Sequence, residues 1–294
     1  MLALVREEDG VAVREVLRPE RRDGFVEIAV GATGVCRTDL YVADGRIKVN
    51  APRILGHEFS GVVSCAPRGS KLAVGSRVTA FPIFATDQSV AGYGGEMLGI
   101  HTDGSFAEFV AVPESVVLPI GNNLSYEEAA FSEPVAAALA VLKAGFRAQQ
   151  RGCIIGSGRI AQLVSRVLKT QGLVVPVLSP DMDNLEESSY DYIIESAASL
   201  TMWRAAVRAV KPGGVIVAKS RSVNPVELPY LDLVQKEVTV KGVHYGSFTQ
   251  AVELLTGGEL RVDDLIGERA SLNDYERVLA QARSGEASKQ FFVF

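Results

Sequence analysis

The chain has 294 residues, of which 47% are hydrophobic and 22% charged, and its formal net charge is -5. This length allows two domains, each with its own core. An acidic chain without a cluster of lysine or arginine is poorly suited to phosphate backbones, which excludes nucleic acid as the main partner. No apolar run is long enough to span a membrane, residues 1–6 lack the order of a signal peptide, and three cysteines give no disulfide framework. The composition therefore predicts a cytoplasmic protein with no membrane partner.

The first hundred or so residues have the pattern of short strands divided by turns. Runs rich in β-branched and aromatic residues, bounded by Gly, Pro or Asp, predict strands at 1–6, 26–30, 60–65, 76–80 and 106–112. A capping box, Ser-Tyr-Glu-Glu at 125–128, predicts a helix that continues through an alanine-rich stretch to about Gly145. One domain boundary is therefore expected near residue 125.

From residue 145 onward, strands and helices alternate, which is typical of a parallel sheet. The predicted strands are 153–155, 174–178, 191–195 and 215–219, and Lys-Pro-Gly-Gly at 211–214 is expected to break a helix just before the last of them. An amphipathic stretch follows at 249–255, then a helix at 272–284 and a final strand at 290–294.

A cysteine and a histidine stand in two compact segments that contain glycine. Cys36 lies in GVCRTD at 34–39, and His57 is followed by Glu58. A thiolate, an imidazole and a carboxylate are the ligands that zinc prefers when one coordination position stays open for chemistry. The segments are far apart in sequence, so a small buried cysteine and an ordinary hydrogen-bonded histidine are the alternative. The pattern indicates a candidate zinc site.

Residues 153–161 (CIIGSGRIA) join a short apolar strand to a glycine-rich turn, and apolar residues at helical spacing follow. This strand, turn and helix are the context that a dinucleotide fingerprint requires, with Ala161 at the third glycine position. Gly156 permits a tight turn, and Gly158 lets the backbone approach a pyrophosphate. The free N–H groups and the dipole of the helix start then hold that anion. The segment predicts nucleotide binding.

Eight short motifs follow one another along the chain: GVCRTD (34–39), GHEFSG (56–61), VGSRV (74–78), DGSFAEFV (103–110), SEP (132–134), GSGRIA (156–161), KPGG (211–214) and KEVTVKG (236–242). In order and spacing they resemble the zinc-dependent medium-chain alcohol and polyol dehydrogenases over nearly the whole chain. The resemblance implies an α/β protein. An irregular GroES-like β-barrel catalytic domain would span 1–124 and 261–294, and a Rossmann cofactor domain, a doubly wound parallel sheet, would span 125–260. In that family the active site lies in the cleft between the two domains.

The resemblance also assigns roles to individual residues. Glu58 would be a zinc ligand or an alternating near-ligand, and Glu133 would coordinate directly or through the bound water. Thr38 would relay the substrate proton, and Asp39 would support a ligand histidine. The implied catalytic residues are Cys36, Thr38, His57 and Glu58, and the implied ligands of one catalytic zinc are Cys36, His57, Glu58 and Glu133.

Two departures from the family pattern are visible. The second, structural zinc of many members needs four closely spaced cysteines, and this chain has three in total and none at 81–101, so that zinc is absent. That stretch contains Tyr93-Gly94-Gly95 instead. The Rossmann half is also short, because only residues 181–189 precede the predicted strand at 191–195. A helix, a strand and a further helix of the usual fold are missing, which predicts a trimmed cofactor domain.

The residue that selects the cofactor is expected at the end of the second Rossmann strand, near Ser179. An acidic residue there would bind the ribose hydroxyls of NAD and repel the 2′-phosphate of NADP. Serine allows NADP, whereas the lack of a following arginine favours NAD, and Asp181 is an alternative contact if the turn is displaced. The implied nucleotide-binding residues are Gly156, Ser157, Gly158, Arg159, Ile160 and Ser179.

The resemblance implies a zinc-dependent alcohol dehydrogenase that transfers a hydride between a small polar or polyol-like secondary alcohol and NAD or NADP. Its partners would be a small-molecule alcohol or ketone and further copies of itself, as a dimer or tetramer. Two alternatives stay open: a zinc-free reductase of the same fold, and a non-catalytic relative that binds a nucleotide or a protein. The candidate ligands at Cys36, His57 and Glu133 count against the first. The trimmed cofactor domain and the missing structural-zinc lobe are the only support for the second.

Overall fold

A computed structural model describes residues 1–84, 95–179, 185–285 and 288–294. The sequence motif at Tyr93 and the alternative ribose contact Asp181 lie outside the described residues. Within the described part, the chain divides into two compact units, one made of Met1–Glu133 and Val252–Phe294 and the other of Pro134–Ala251.

The strands of the described residues are numbered in chain order. They are β1 (Leu2–Glu7), β2 (Gly10–Glu15), β3 (Phe25–Gly34), β4 (Arg53–Ile54), β5 (Glu58–Cys65), β6 (Arg77–Ala80), β7 (Ile83–Phe84), β8 (Glu96–Met97), β9 (Phe109–Pro113), β10 (Val117–Pro119), β11 (Gly152–Ile155), β12 (Val177–Leu178), β13 (Tyr190–Glu195), β14 (Val210–Ala218), β15 (Thr239–Gly242), β16 (Ile266–Ala270) and β17 (Lys289–Val293).

The α-helices of the described residues are α1 (Arg37–Ala43), α2 (Tyr126–Ala130), α3 (Ser132–Leu139), α4 (Arg159–Thr170), α5 (Leu200–Ala209), α6 (Tyr230–Gln235), α7 (Phe248–Thr256) and α8 (Tyr275–Arg283). Short 3-10 helices occur at Glu114–Val116, Ala140–Ala144, Asp263–Leu265 and Leu272–Asp274. None of the helices in the described part of the chain has the length and apolar character that a membrane crossing requires.

The first unit is organised around β3. Strands run in the order β10-β6-β5-β3-β17-β16, and β9 also pairs with β3. Alternate side chains of β3, such as Val26, Ile28 and Val30, are buried in the core, as the period of two in a half-buried strand requires. The last residue of β3, Gly34, lies opposite Glu58 of β5 and Phe291 of β17. This register places the start of β5 level with β17, on the opposite side of β3.

The second unit contains a parallel sheet in the order β12-β11-β13-β14-β15. Buried residues of α4, among them Leu163, Val164 and Val167, are spaced so that one face of the helix is apolar. Eleven residues (179–189) separate β12 from β13, and β12 forms the edge of the described sheet. The prediction of a shortened Rossmann sheet is confirmed.

Several predicted elements need correction. The prediction of a single helix from Ser125 to about Gly145 is wrong, because the chain forms α2, α3 and a 3-10 helix in succession. The capping box itself is present, since Ser125 Oγ accepts the N–H of Glu128 at 3.1 Å. Phe131 caps α2, and Pro134, which has no N–H to donate, is accommodated in the first turn of α3.

Two strand predictions also differ from the structure. The strand predicted at 174–178 is reduced to Val177–Leu178, and Val174 is 85% exposed. Residues 211–214 do not precede the next strand but lie inside β14 (Val210–Ala218), where they form a bulge opposite 190–192. Glycines in a strand often mark such bulges.

The junctions between the two units lie within helices. The first falls in α3, between Glu133 and Pro134, and the second falls in α7, between Ala251 and Val252. The sequence placed these boundaries near 125 and 261. Helix α2 packs on β3 and β5 and therefore belongs to the first unit.

Candidate metal and nucleotide sites

The thiol of Cys36 is positioned by the first turn of α1. Cys36 is the N-cap of this helix, and its backbone N–H donates to Oδ2 of Asp39 at 2.8 Å. A carboxylate at the third helical position commonly satisfies the N–H of the cap residue in this way. Thr38 lies in the same turn, and its Oγ1 accepts from the Cys36 thiol at 3.8 Å. The cap therefore holds the thiol, the predicted proton relay and Asp39 together.

Asp39 connects this turn to the segment that carries His57. Its Oδ1 lies 3.0 Å from Nδ1 of His57 and accepts the backbone N–H of Gly56 at 3.2 Å. Both side chains are buried. A proton on Nδ1 donates to this carboxylate and leaves the Nε2 lone pair available for a metal ion. The contact predicted between Asp39 and the histidine is confirmed.

Cys36, His57 and Glu58 converge on one point. One ligand atom of each lies within 4.8 Å of the ligand atoms of the other two, and Oε1 of Glu58 is 4.0 Å from Nε2 of His57. Within the described residues, Nε2 is buried and makes no hydrogen bond. Buried polar atoms are almost always paired in native proteins, so an orphaned imidazole nitrogen beside a thiol and a carboxylate is typical of a site that could hold a cation. One sulfur, one nitrogen and one oxygen donor fit zinc.

The charges around His57 oppose the effect of its burial. Burial lowers the pKa of the imidazole, but the Asp39 carboxylate, which is hydrogen-bonded to Nδ1, and the nearby Cys36 sulfur raise it. The resulting pKa is well above its usual value. The pocket thus favours positive charge at this position, which a divalent cation would supply while leaving the histidine neutral.

Glu58 has a partner that sequence reasoning missed. Nζ of Lys289 donates to Oε2 of Glu58 and to the carbonyl oxygen of Val35, the latter at 3.3 Å. Both charged side chains are buried. The only local signal was a lysine at the start of an otherwise mostly apolar C-terminal strand (KQFFV). That signal does not identify the carboxylate it meets, which lies 231 residues away in sequence.

Glu133 is the second residue of α3 and is buried. Its carboxylate lies outside the group formed by Cys36, His57 and Glu58. Its role as a direct or water-mediated ligand therefore stays a prediction.

The glycine-rich turn of the second unit joins β11 to α4. Gly156 has φ 137°, and a Cβ there would lie 2.2 Å from Oγ of Ser196, so the turn needs glycine for both its conformation and its space. Gly158 is the N-cap of α4 and has no side chain that could bond the first N–H groups of this 12-residue helix. Ser157 and Gly158 are exposed, and the next two residues are half-buried. Uncapped N–H groups at a helix start suit an anion.

Ser179 follows β12 directly and lies beside this turn. The N–H of Gly156 donates to the carbonyl oxygen of Leu178 at 2.8 Å, which places the ends of β11 and β12 next to each other. Ligands of open parallel sheets bind outside the carboxyl ends of the strands. The predicted pyrophosphate-binding and ribose-binding residues therefore both lie at the carboxyl ends of adjacent parallel strands, β11 and β12.

Comparisons with known proteins agree with this architecture. The family model for the alcohol dehydrogenase GroES-like domain matches residues 22–122. The chain is 28% identical to (R,R)-butanediol dehydrogenase of Bacillus subtilis over 90% of each chain, and 26% identical to sorbitol dehydrogenase of Halalkalibacterium halodurans over 98% of each. Among solved structures, a candidate zinc-binding dehydrogenase from Sinorhizobium meliloti bound to NADP has a TM-score of 0.88 and 25% identity. That match covers 100% of this chain and 99% of the other.

A GroES-like barrel together with a parallel sheet of Rossmann type defines the class, an oxidoreductase of the alcohol dehydrogenase type. The relatives narrow this class further. The chain is similar to the zinc-dependent medium-chain dehydrogenases, and the resemblance predicted from its motifs is confirmed.

Proposed function

We propose that the chain is a zinc-dependent dehydrogenase that transfers a hydride between a small polar or polyol-like secondary alcohol and NAD or NADP. The observation that carries the proposal is the group of Cys36, His57 and Glu58, in which the buried Nε2 of His57 makes no hydrogen bond to the described residues. The relatives named as butanediol and sorbitol dehydrogenases support a polyol-like substrate.

Cys36, His57 and Glu58 would hold the zinc ion, with Glu133 as a direct or water-mediated fourth ligand. When bound, zinc supplies a Lewis acid that polarises the substrate oxygen and eases the loss of its proton. Asp39 keeps the imidazole proton on Nδ1 and fixes the orientation of the ring. This arrangement presents Nε2, rather than an N–H group, to the ion.

Thr38 is the proposed first acceptor of the substrate proton. A hydroxyl accepts one proton while it donates another, which a relay requires. The capping turn holds its Oγ1 3.8 Å from the sulfur of Cys36, next to the proposed ion. Its side chain therefore lies in the same capping turn as the Cys36 sulfur.

The pyrophosphate of the nicotinamide nucleotide would bind at the turn that precedes α4, where the proposed contacts are Gly156, Ser157, Gly158, Arg159 and Ile160. Ser179 would meet the adenosine ribose. Because a serine does not repel a 2′-phosphate, both NAD and NADP are compatible with this site. The nicotinamide ring supplies the hydride chemistry, and the protein supplies position.

We also propose that the chain forms a homo-oligomer through its second unit. Strand β15 is an edge strand whose four residues are all exposed. Six of the twelve exposed large apolar side chains of the described residues lie between 223 and 240, around α6 and β15: Val223, Leu228, Tyr230, Leu231, Val234 and Val240. Such a concentration is typical of a surface that another chain covers.

Zinc content tests the proposed chemistry. Tag-free protein expressed with zinc supplied should contain about one zinc per chain by elemental mass spectrometry. Cys36→Ala and His57→Ala should lose most of that zinc, whereas Cys65→Ala, which removes a half-buried thiol outside the group, should keep it. Zinc-loaded wild type should then oxidise polyols with NAD or NADP. If the wild-type protein contains no zinc although zinc was supplied, the zinc mechanism is refuted. The two alternatives, a zinc-free reductase and a non-catalytic relative, then remain.

A further inference from the structure

Lys289 is a buried cation inside the first unit. Its side chain is 1% exposed, and its Nζ contacts Oε2 of Glu58, the carbonyl oxygen of Val35 and, at 5.7 Å from the ring centroid, Phe131. Burying an ammonium group is costly unless a charge compensates it. An apolar side chain of similar length would avoid that cost, so the pairing with Glu58 calls for an explanation beyond packing.

The backbone leaves a path for this side chain. Gly34 stands between Glu58 and Phe291 in the sheet. A Cβ at position 34 would lie 2.6 Å from Cδ of Lys289 and 3.3 Å from Oε2 of Glu58. Any residue larger than glycine would displace the lysine from the carboxylate. The end of β3 is therefore compatible with the ion pair only as glycine.

The two oxygens of Glu58 have different surroundings as a result. Oε2 faces Lys289, whereas Oε1 is 4.0 Å from Nε2 of His57 and so belongs to the candidate metal group. A carboxylate can bind a metal ion through one oxygen or through both. A charge-assisted hydrogen bond to Oε2 opposes the second mode, because the ion would have to displace the ammonium group.

We propose that Lys289 is a positioning residue that restricts Glu58 to a single oxygen, Oε1, toward the metal ion, and that its positive charge weakens the affinity of the site for that ion. The inference rests on the proposed zinc site. It assigns a role to a side chain that is far from the metal-binding motifs in sequence.

The test compares Lys289→Met, which removes the charge and keeps the length, with Lys289→Arg, which keeps the charge. Lys48→Met, at an exposed lysine of the same unit, controls for the loss of one charge. Zinc affinity is measured by competition with a chromophoric chelator. Coordination is measured by the visible absorption of the cobalt(II)-substituted proteins, in which the d–d bands lose intensity as the coordination number rises.

Lys289→Met should bind zinc at least about tenfold more tightly than wild type, because a nearby positive charge disfavours a dication. Its cobalt bands should be weaker, because Glu58 can then bind through both oxygens. Lys289→Arg and Lys48→Met should match wild type in both measurements. In a Glu58→Gln background, Lys289→Met should leave the cobalt bands unchanged, since the effect on coordination acts through the carboxylate.

Equal or weaker zinc affinity in Lys289→Met, or a cobalt spectrum identical to that of Lys289→Arg, overturns the inference and leaves the zinc site standing. Wild type that binds neither zinc nor cobalt overturns the zinc proposal together with this inference. Lys289→Leu, a second neutral variant without a hydrogen-bond donor, carries the same expectations and replaces Lys289→Met if that protein does not fold.

Discussion

The substitution Asp39→Asn tests how the cysteine and histidine segments are held together. The carboxylate accepts the N–H of Cys36 at 2.8 Å, the N–H of Gly56 at 3.2 Å and, when Nδ1 is protonated, that of His57 at 3.0 Å. Asparagine has one acceptor oxygen, so in either orientation its NH2 group faces at least one of these donors. A hydrogen bond to a charged acceptor contributes about 1.5–3 kcal/mol, and the remaining bonds also lose their charge. We expect the free energy of unfolding to fall by about 2–4 kcal/mol.

The same substitution should weaken zinc binding by about 10–100-fold, which is typical of losing a partner that orients a ligand histidine. If the new NH2 group faces His57, it favours the tautomer with the proton on Nε2 and so removes the lone pair from the metal side. If the amide oxygen faces His57 instead, the ring keeps its orientation but loses the negative charge that makes it a stronger ligand.

The assay is urea denaturation of the metal-free protein, followed by zinc titration against a competing chelator. Asp103→Asn is the control, because Asp103 likewise accepts both side-chain and backbone hydrogen bonds, one from Arg53 and one from Ile54, but is 60% exposed. An exposed pair contributes about 0–1 kcal/mol, and the control should bind zinc as wild type does. Zinc affinity of Asp39→Asn within about threefold of that control would refute the assignment of Asp39 as the group that orients His57.

Three further predictions concern other parts of the chain. Burial, together with the charges of Arg221 and Lys219, lowers the pKa of His244 to about 4. As the pH falls, the imidazole therefore takes up a proton in the unfolded chain before it does so in the folded chain. The free energy of unfolding should fall between about pH 6.5 and 4 by roughly 1–2 kcal/mol more in wild type than in His244→Gln. Equal pH profiles of the two proteins in urea denaturation would contradict this. Ser125→Ala removes an N-cap and should cost about 1 kcal/mol in urea denaturation, and a loss below about 0.3 kcal/mol would show that the cap contributes little. Leu231→Glu places a charge on the exposed apolar surface around α6 and should shift sedimentation velocity toward the monomer, whereas an unchanged oligomer would move the interface elsewhere.

The features that the sequence predicted correctly are those set by neighbouring residues. The capping box at Ser125 and the turn at Gly156 each depend on a few consecutive residues, and both are present. The grouping of Cys36 with His57 was predicted by residue type and by resemblance to a family. Spacing alone could not bring these residues together, because their meeting depends on the hydrogen bonds of Asp39 to both segments.

The features that the sequence did not predict depend on contacts between distant strands. Lys289 meets Glu58 only because β17 and β5 both pair with β3 at Gly34, and no local pattern specifies that register. The division of the predicted helix at Phe131 is only partly such a case. Pro134 is a local signal, because proline is disfavoured inside a helix and fits the first turn of α3, whereas the packing of α2 on the barrel strands is a contact between distant residues.

The shortened second unit retains the part of the sheet on which a nucleotide would bind. The turn at Gly156 is held on one side by β12, through the carbonyl oxygen of Leu178 at 2.8 Å, and on the other by the residue after β13, where the N–H of Ser196 donates to Ile155 at 3.0 Å. In a doubly wound sheet a further strand would pair with the outer edge of β12. In the described sheet β12 is itself the edge strand, and its residue Val177 is accordingly 41% exposed. The loss therefore affects the adenosine side of the proposed site and leaves the pyrophosphate turn with both of its neighbours. For this reason the shortening does not itself favour a non-catalytic relative. We expect it instead to weaken the binding of the adenosine half of the nucleotide.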